Sequence, residues 1–383
     1  MNEMIQSIQA AYEYDQQHKP EAVTADEIPV SFESMTDRWL TAALCSGVPG
    51  AKVVGHQLGS VDNGSSNRRR IEVEYNDVGM DAGLPAALFC KASFDLVNRM
   101  TLAMSGAAHV ETHFYNRIRP HVEIEAPKSF YAHYDTKSYK YLVMLGDLTS
   151  SVTEFCNHHT VMTLARAQSQ VRLLGKLHGT TYSNPQLQAE MEHIKTWPAY
   201  FNDTLGFGMQ QGSENGFQAA EEVIPPSLFK RYQEIWPATM RSMEIHQKGP
   251  YYYAHGDVHL KNWYVAGSGE MGLSDWQCCG RGHWARDFAY TIATALKVED
   301  RRAWERDLLK LYLETQRAAG GPAIGFDDAW NAYRQQLITA LTWWTVTLTP
   351  PPGLPDMQPR DITLEFIRRI STAMDDNGTL DAF

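Results

Sequence analysis

The stretch of sequence that decides the fold is HGDVHLKN at residues 255–262, followed by GLSDW at residues 272–276. Asp257 and Asn262 are five residues apart, and in a tight loop this spacing lets a carboxylate face a reacting hydroxyl while an amide oxygen faces a cation. A hairpin between the two stretches would bring Asp275 back beside Asn262. Mg²⁺ favours oxygen ligands and usually keeps waters and phosphate oxygens in its shell. The two stretches therefore predict a catalytic carboxylate at Asp257 and a magnesium site at Asn262 and Asp275.

These stretches, together with DFAY at residues 287–290, resemble the aminoglycoside phosphotransferase and choline kinase superfamily, whose members are relatives of the protein kinases. Within that superfamily the sequence around residue 257 most resembles the ecdysteroid-kinase-like branch and its bacterial relatives. The resemblance implies an α+β, bilobal protein-kinase-like fold with a small β-rich lobe and a larger helical lobe. It also implies transfer of phosphate from ATP, with Mg²⁺, to a hydroxyl group of a small molecule.

The resemblance also assigns roles to individual residues. Asp257 matches the catalytic base, Asn262 and Asp275 match the metal ligands, and Asp287 matches an aspartate that braces the catalytic loop. Lys91, at the end of an apolar strand, fits the lysine that contacts the α- and β-phosphates in kinases.

Three further elements fit parts of a kinase nucleotide site. Glu111 lies on a helix that is predicted by the four-residue spacing of Val110, Phe114 and Ile118, and it fits the ion-pair partner of Lys91. The turn-rich loop at residues 59–67 is expected to cover the phosphates with backbone N–H groups and hydroxyls. The residues of this loop expected to do so are Asn63, Gly64, Ser65 and Ser66.

A hinge that receives adenine through backbone groups is expected at residues 145–147, with Leu145 and Asp147 as its candidates. This segment follows a β-rich run at residues 139–144. The pattern predicts an N-terminal lobe over residues 1–147, with a helical lead-in and an antiparallel sheet. Residues 148–383 are expected to form a helical C-terminal lobe with the catalytic loop and the acceptor pocket, and residues 183–225 are expected to be irregular within it.

Composition limits the classes of partner. The net charge of −11 repels a phosphate backbone, so a nucleic-acid partner is not expected. The five cysteines have no zinc-ligand spacing and are typical of reduced cytosolic thiols. We see no signal peptide, and the apolar stretch at residues 337–348 is too short to span a bilayer. We therefore expect a cytoplasmic protein with no membrane partner and no obligate protein partner.

Two other functions remain open at this point. His255 and His259 flank Asp257, and these three residues could serve a metal-dependent hydrolase, although a second His/Asp cluster is missing. A kinase-like module that binds nucleotide without catalysis is the other alternative, but Asp257, Asn262 and Asp275 are all present. GTP as the phosphate donor also remains open.

The acceptor is not fixed by the sequence. The acidic charge favours a cationic acceptor, such as an amine-bearing sugar or choline. The aromatic residues at 182–207 and 330–344 favour a sterol-like or macrolide-like acceptor, or they belong to the core.

Overall fold

The structure is a computed structural model that describes residues 2–351 and 357–383. The chain divides into two compact units. The first comprises Met1–Pro120 and Ala126–Val152, and the second comprises His121–Glu125 and Thr153–Phe383. The assignment of residues 1–147 and 148–383 to two functional lobes stays a prediction.

The first unit is built on a five-stranded antiparallel sheet with the strand order β1-β2-β3-β5-β4. Along the middle of β2, buried Ile71 and Val73 alternate with exposed Arg70 and Glu72, as the alternating sequence predicts. The buried face packs against Trp39 and its neighbours in one apolar cluster. The strands are β1 (Val53–Asn63), β2 (Asn67–Tyr75), β3 (Ala87–Ala92), β4 (Ser129–Tyr134) and β5 (Tyr141–Gly146).

Five α-helices accompany this sheet in the described residues of the first unit. The second begins after Thr36, whose side chain accepts from the amide of Trp39 and so caps the helix. The first forms the predicted helical lead-in, and it is held by the buried ion pair of Asp15 with Arg99 at 2.8 Å. The helices are α1 (Asn2–His18), α2 (Asp37–Leu44), α3 (Asp77–Asp81), α4 (Leu96–Ser105) and α5 (Ala107–His113).

The second unit is mainly helical. Its described helices are α6 (Leu164–Ser183), α7 (Pro185–Met191), α8 (Trp197–Leu205), α9 (Met209–Ala219), α10 (Pro226–Phe229), α11 (Tyr232–Ser242), α12 (Glu244–Gln247), α13 (Trp284–Ala295), α14 (Val298–Ala318), α15 (Phe326–Leu348) and α16 (Arg360–Asp376). None of the helices in the described part of the chain combines the length and apolarity needed to cross a membrane.

Short strands frame the loops of the second unit. They are β6 (Val152–Phe155), β7 (Tyr252–Ala254), β8 (Trp263–Ala266), β9 (Met271–Leu273) and β10 (Gly280–Gly282). β8 lies between β6 and β9 in one small sheet, and β7 pairs with β10 in another. β7 runs directly into the stretch at residues 255–262, so the two-stranded sheet fixes where that stretch begins.

The prediction of irregular structure at residues 183–225 is wrong, because α7, α8 and α9 lie there. Asn184 and Thr196 cap α7 and α8 with their side chains. Two of the glycines that suggested a loop, Gly212 and Gly216, serve close helix packing instead. A Cβ atom on Gly216 would lie 1.9 Å from the carbonyl oxygen of Thr345, so only glycine lets α9 approach α15 this closely. Such a contact depends on a residue far away in the sequence.

Candidate active site

Asp287 holds the start of the catalytic segment by its backbone. The amide of His255 donates to Asp287 Oδ2 at 2.7 Å, and the amide of Gly256 donates to Oδ1 at 3.0 Å. Burial opposes ionisation of Asp287, but the hydrogen bond and charge of His178 and the charge of Arg286 outweigh it and hold the pKa of this carboxyl below its ordinary value. A buried carboxylate on α13 therefore fixes two successive peptide groups, in agreement with the bracing role that the resemblance implied.

Gly256 permits a close approach between two loops. Its φ is +86°, and a Cβ atom here would lie 2.2 Å from the carbonyl oxygen of Cys278. Any other residue would therefore combine an unfavourable backbone conformation with a collision against the main chain. Arg286 Nη1 donates to the carbonyl oxygen of Gly256, so both the N–H and the C=O group of this residue are held by side chains of α13.

The carboxylate of Asp257 is oriented at both of its oxygens. Tyr290 donates its hydroxyl to Oδ1 at 3.1 Å, while Asn262 Nδ2 and His259 Nε2 lie 3.3 Å and 3.4 Å from Oδ2. The side chain of Asp257 nevertheless remains 33% exposed. Burial raises the pKa of Asp257, but the charge and hydrogen bond of His259, with His255 and Tyr290, lower it more, so the carboxyl is ionised at neutral pH.

Both ring nitrogens of His255 form hydrogen bonds with the backbone of the site. Its Nε2 lies 2.9 Å from the carbonyl oxygen of Ser274, and its Nδ1 accepts from the amide of Asp257 at 3.2 Å. These partners fix the tautomer with the proton on Nε2, and burial lowers the pKa of this imidazole. A metal-ligand role for His255 would break one of these bonds, and this geometry weighs against the hydrolase interpretation.

The predicted hairpin between Asn262 and Asp275 is confirmed. β8 and β9 pair from Trp263 with Leu273 to Val265 with Met271. Beyond them, the amide and hydroxyl of Ser274 both donate to the carbonyl oxygen of Asn262 at 2.9 Å. The hairpin therefore brings the residue before Asp275 onto Asn262.

The oxygen chemistry at this point fits Mg²⁺. The Nδ2 group of Asn262 donates to the carbonyl and carboxylate oxygens of Asp257, at 2.7 Å and 3.3 Å, which leaves its amide oxygen for a cation. Asp275 supplies carboxylate oxygens from a left-handed backbone conformation, with φ +61° and ψ +69°. This conformation is unfavourable for a residue with a Cβ atom, and such strain clusters at functional sites. In the described residues, no group of three or more His, Cys, Asp or Glu side chains could hold a metal ion.

In the first unit, the predicted ion pair of Lys91 with Glu111 is present. Lys91 Nζ lies 2.8 Å from Glu111 Oε1, and the two side chains are only 8% and 0% exposed. The hydroxyl of Tyr141 donates to Glu111 Oε2. Glu111 lies on α5, which is the second helix after β3, and the predicted helix continues from Phe114 to Ile118 as a π-helix. A contact of Lys91 with phosphate stays a prediction.

The predicted phosphate-covering loop is shorter than residues 59–67. β1 continues to Asn63 and β2 starts at Asn67, because cross-strand pairing satisfies the backbone of residues that read as a loop. The turn therefore comprises Gly64, Ser65 and Ser66, in which the amide of Gly64 donates to the carbonyl oxygen of Ser66 at 3.0 Å. Ser65 is exposed and Ser66 is buried, so Ser65 is the more accessible of the two predicted hydroxyls.

The predicted hinge residues belong to the end of the sheet. β5 extends through Leu145 to Gly146 because both of its neighbours, β3 and β4, pair with it there. The amide of Asp147 donates to the carbonyl oxygen of Ala87 at 3.1 Å, and its carboxylate binds Thr149 and Arg70. The amide and the carboxylate of Asp147 are therefore already engaged. A hydrogen bond from adenine to Asp147 would have to be accepted by the carbonyl oxygen of Asp147.

Sequence reasoning missed two supporting residues. The first is His178, which lies inside α6 with Nε2 3.4 Å from Asp287 Oδ2 and Nδ1 2.7 Å from the hydroxyl of Tyr312. No local pattern could reveal this contact, because the partners are 109 residues apart. Tyr290 had a local signal: it follows Asp287 by three residues on α13, so both side chains face the catalytic segment.

Comparisons with known proteins agree with this architecture. The sequence profile of the phosphotransferase enzyme family (APH) matches residues 104–330, which is more than half of the chain. No curated protein sequence matches the chain. A structure of a microcompartment-associated aminopropanol kinase is 13% identical with a TM-score of 0.50, over 85% of this chain and 92% of that chain. Wild-type aminoglycoside 2'-phosphotransferase-IIIa in its GDP complex is 10% identical with a TM-score of 0.50, over 90% and 100% of the two chains.

Choline kinase LicA from Streptococcus pneumoniae is 10% identical with a TM-score of 0.47, over 88% of this chain and 98% of that chain. The two structures with a TM-score of 0.50 share the fold of this chain, and the expected α+β, protein-kinase-like fold is confirmed. Because the family profile covers more than half of its length, the chain belongs to the phosphotransferase enzyme family (APH).

Proposed function

We propose that the protein transfers phosphate from ATP, with Mg²⁺, to a hydroxyl group of a small molecule. The observation that carries this proposal is the carboxylate of Asp257, which is ionised, held at both oxygens and still partly exposed. A kinase requires a carboxylate in this state to orient an acceptor hydroxyl.

Asp257 would act first by orientation. One of its oxygens would accept the hydrogen of the acceptor hydroxyl, which turns the acceptor oxygen toward the γ-phosphorus. A carboxylate with a lowered pKa is a weak base. In the loose transition state of phosphoryl transfer, however, the proton leaves late, so a positioned weak base is sufficient. Tyr290 and His259 would keep the carboxylate from rotating away during this step.

The amide oxygen of Asn262 and the carboxylate of Asp275 would hold Mg²⁺. When bound, the ion would neutralise charge on the phosphate oxygens. The bonds that the amide and the hydroxyl of Ser274 donate to the carbonyl oxygen of Asn262 hold the residue before Asp275 against Asn262, which supports a shared site for the ion.

Residues of the first unit would bind the nucleotide. Lys91, held by Glu111, would place its ammonium group on the α- and β-phosphates. Ser65, in the turn that follows Asn63 and Gly64, would donate to phosphate oxygens, with a smaller contribution from buried Ser66. Adenine would bind the backbone at Leu145 and Asp147.

The test is an ATP-consumption screen over hydroxylated metabolites and antibiotics, run on the intact chain and on Asp257→Asn. The substitution keeps the shape of the side chain and removes its charge. We expect transfer to fall by about 10²- to 10⁴-fold, while ATP affinity stays unchanged. Asp307→Asn, an exposed substitution on α14, is the matched control. Near-normal turnover by Asp257→Asn would sink the assignment, and a preference for GTP would change only the donor.

A second variant tests the metal site separately. Asp275→Asn is expected to weaken nucleotide binding in the presence of Mg²⁺ and to leave nucleotide binding in EDTA unchanged. The measurement is calorimetric titration with ATP under both conditions. An unchanged affinity for ATP with Mg²⁺ would mean that the cation is held elsewhere.

A further inference from the structure

A cavity of about 470 Å³ opens in the second unit beside the first turns of α15. The end of α6, the strand β7 and the start of α13 also contribute side chains to its lining. A volume of this size is typical of small-molecule sites. The lining includes no residue of the stretches 255–262 and 272–276, so the cavity is distinct from the proposed site of phosphate transfer. We call it the α15 cavity.

Part of the lining of the α15 cavity is aromatic and aliphatic. Tyr182 and Tyr252 stack with their ring centroids 5.4 Å apart and 23° between the ring planes. Tyr252 is buried, whereas Tyr182 is partly exposed. Ile245 and Ile324, which are also partly exposed, add aliphatic surface to the lining. These side chains would bind an aromatic ring through stacking and through burial of apolar surface.

Hydrogen-bond acceptors line the cavity along one face of α15. Asp328, Asn331 and Gln335 follow one another at spacings of three and four residues, which places them side by side on a helix. The side-chain nitrogens of Asn331 and Gln335 both donate to the carbonyl oxygen of Ala382, at 3.5 Å and 2.6 Å. An amide whose nitrogen is engaged in this way keeps its oxygen as an acceptor. This face of α15 therefore offers a carboxylate and two amide oxygens to a donor.

The charge of the lining favours a cation. Among the described residues that line the α15 cavity there is one carboxylate, on Asp328, and no Lys or Arg. His283 also lines the cavity, but burial and then the charge of His178 lower its pKa to about 4, so its ring is neutral at neutral pH. A primary ammonium group carries a positive charge and three N–H donors, which match a carboxylate and amide oxygens.

The α15 cavity also touches the two elements that hold the catalytic segment. Tyr252 lies on β7, which continues into His255, and Trp284 is the first residue of α13, which carries Asp287. The amide of His255 donates to Asp287 at 2.7 Å. A ligand that packs on both Tyr252 and Trp284 would oppose separation of β7 from α13, and it would thereby stabilise this hydrogen bond.

We propose that the α15 cavity binds a primary amine that carries an aromatic ring, and that this binding stabilises the catalytic segment. The ring would pack beside Tyr182, and the ammonium group would bind Asp328. The inference goes beyond the proposed function, because the ligand needs no hydroxyl group and its binding requires no phosphate transfer.

Calorimetric titration of the intact chain tests the ligand chemistry with three related probes: the cation phenethylamine, the neutral N-phenethylacetamide and the anion 3-phenylpropionate. None of them has an alcohol group that could accept phosphate. We expect phenethylamine to bind at least about tenfold more tightly than the other two. Asp328→Asn, which removes only the charge at an exposed position, should weaken phenethylamine binding roughly tenfold.

Asp327→Asn is the matched control, because Asp327 is the preceding residue on α15, is also exposed and does not line the cavity. It should leave the affinity for phenethylamine unchanged. Absence of phenethylamine binding, equal affinity for the neutral probe, or binding that is insensitive to Asp328→Asn would each overturn the site. These outcomes are independent of whether Asp257 supports phosphate transfer.

Hydrogen exchange measured by mass spectrometry tests the link to the catalytic segment. At a phenethylamine concentration ten times its Kd, exchange of the amides of His255 and Gly256 should slow by up to about tenfold. The same concentration should have much less effect on Asp328→Asn and its full effect on Asp327→Asn. Exchange that stays unchanged while phenethylamine is bound would overturn the link between the α15 cavity and the catalytic segment.

Discussion

The amide of His255 donates to the carboxylate of Asp287 at 2.7 Å, and both residues are buried. This bond joins the first residue of the catalytic segment to a helix that begins 29 residues later in the chain. Together with the bond from the amide of Gly256, this bond makes the backbone conformation at residues 255–257 depend on the position of α13. The position of Asp257 therefore depends on a side chain that does not touch it.

Asp287→Asn should destabilise the fold. The amide that replaces the carboxylate can accept at only one of its two terminal atoms, so one backbone N–H group would face another donor in a buried place. We expect a loss of about 2–4 kcal/mol in the free energy of unfolding, measured by urea denaturation. Asp307→Asn should change it by less than about 0.5 kcal/mol. A stability equal to that of the unsubstituted chain would show that the two amides find other partners.

Two glycines with the same backbone conformation allow a paired comparison. Gly256 and Gly269 both have φ +86°, but a Cβ atom on Gly269 meets nothing within 4 Å, whereas one on Gly256 meets the carbonyl oxygen of Cys278. Gly269→Ala should cost about 1–2 kcal/mol, from the conformation alone. Gly256→Ala should cost about 3 kcal/mol or more and should displace Asp257. Equal losses of stability for the two variants in thermal unfolding would mean that the loops at Gly256 and Cys278 move apart at little cost.

Acid should destabilise the second unit through His246. Burial, followed by the charge of His283, lowers the pKa of His246 to about 3, against 6.5 in an unfolded chain. As the pH falls below about 6.5, the unfolded chain takes up a proton that the folded chain refuses, so stability is complete above this pH and falls below it. His246 Nδ1 also accepts from the amide of His283 at 2.9 Å, a bond that protonation there would break.

The measurement is the free energy of unfolding at pH 7.5, 6.0 and 5.0. The loss per pH unit from this group should approach about 1.4 kcal/mol at the acid end. His246→Gln should have a shallower slope, whereas His18→Gln, at an exposed position on α1, should keep the slope of the unsubstituted chain. Identical slopes for all three proteins would exclude His246 as the source.

The pair of Lys91 and Glu111 should show strong coupling. Lys91→Met would remove the ammonium group that lies 2.8 Å from the fully buried carboxylate of Glu111, and we expect it to cost about 3–5 kcal/mol. The double variant Lys91→Met/Glu111→Gln should lose less than the two single variants added together, by urea denaturation. Removing Arg68 from its exposed pair with Asp62 should cost less than about 1 kcal/mol. Additive losses at Lys91 and Glu111 would contradict the coupling.

Local chemistry predicted the parts of the site that are close in sequence. The hairpin between Asn262 and Asp275 follows from turn residues between two apolar runs, and the alternation in β2 follows from one buried face. The ion pair of Lys91 with Glu111 was reached through the order of elements that kinases share. In each case the prediction depends on residues close together in the sequence, or on the order in which kinases place their functional residues along the chain.

Features that depend on remote partners were missed. The helices at residues 183–225 contain glycines that matter only because α15 lies against them. His178 and Asp287 meet through the packing of α6 against α13. A single sequence carries no local trace of such contacts, so they require the folded chain.

The hairpin of β8 and β9 also offers a place to divide the protein. Its tip at residues 267–270 is exposed. A break at Ser268 would leave Asp257 and Asn262 on one fragment, and Asp275 with Asp287 on the other. Neither fragment alone would have both the carboxylate that faces the acceptor and the aspartate that braces its loop. Phosphate transfer would then report reassembly of the fragments, so two proteins fused to them could be tested for association in an enzymatic complementation assay.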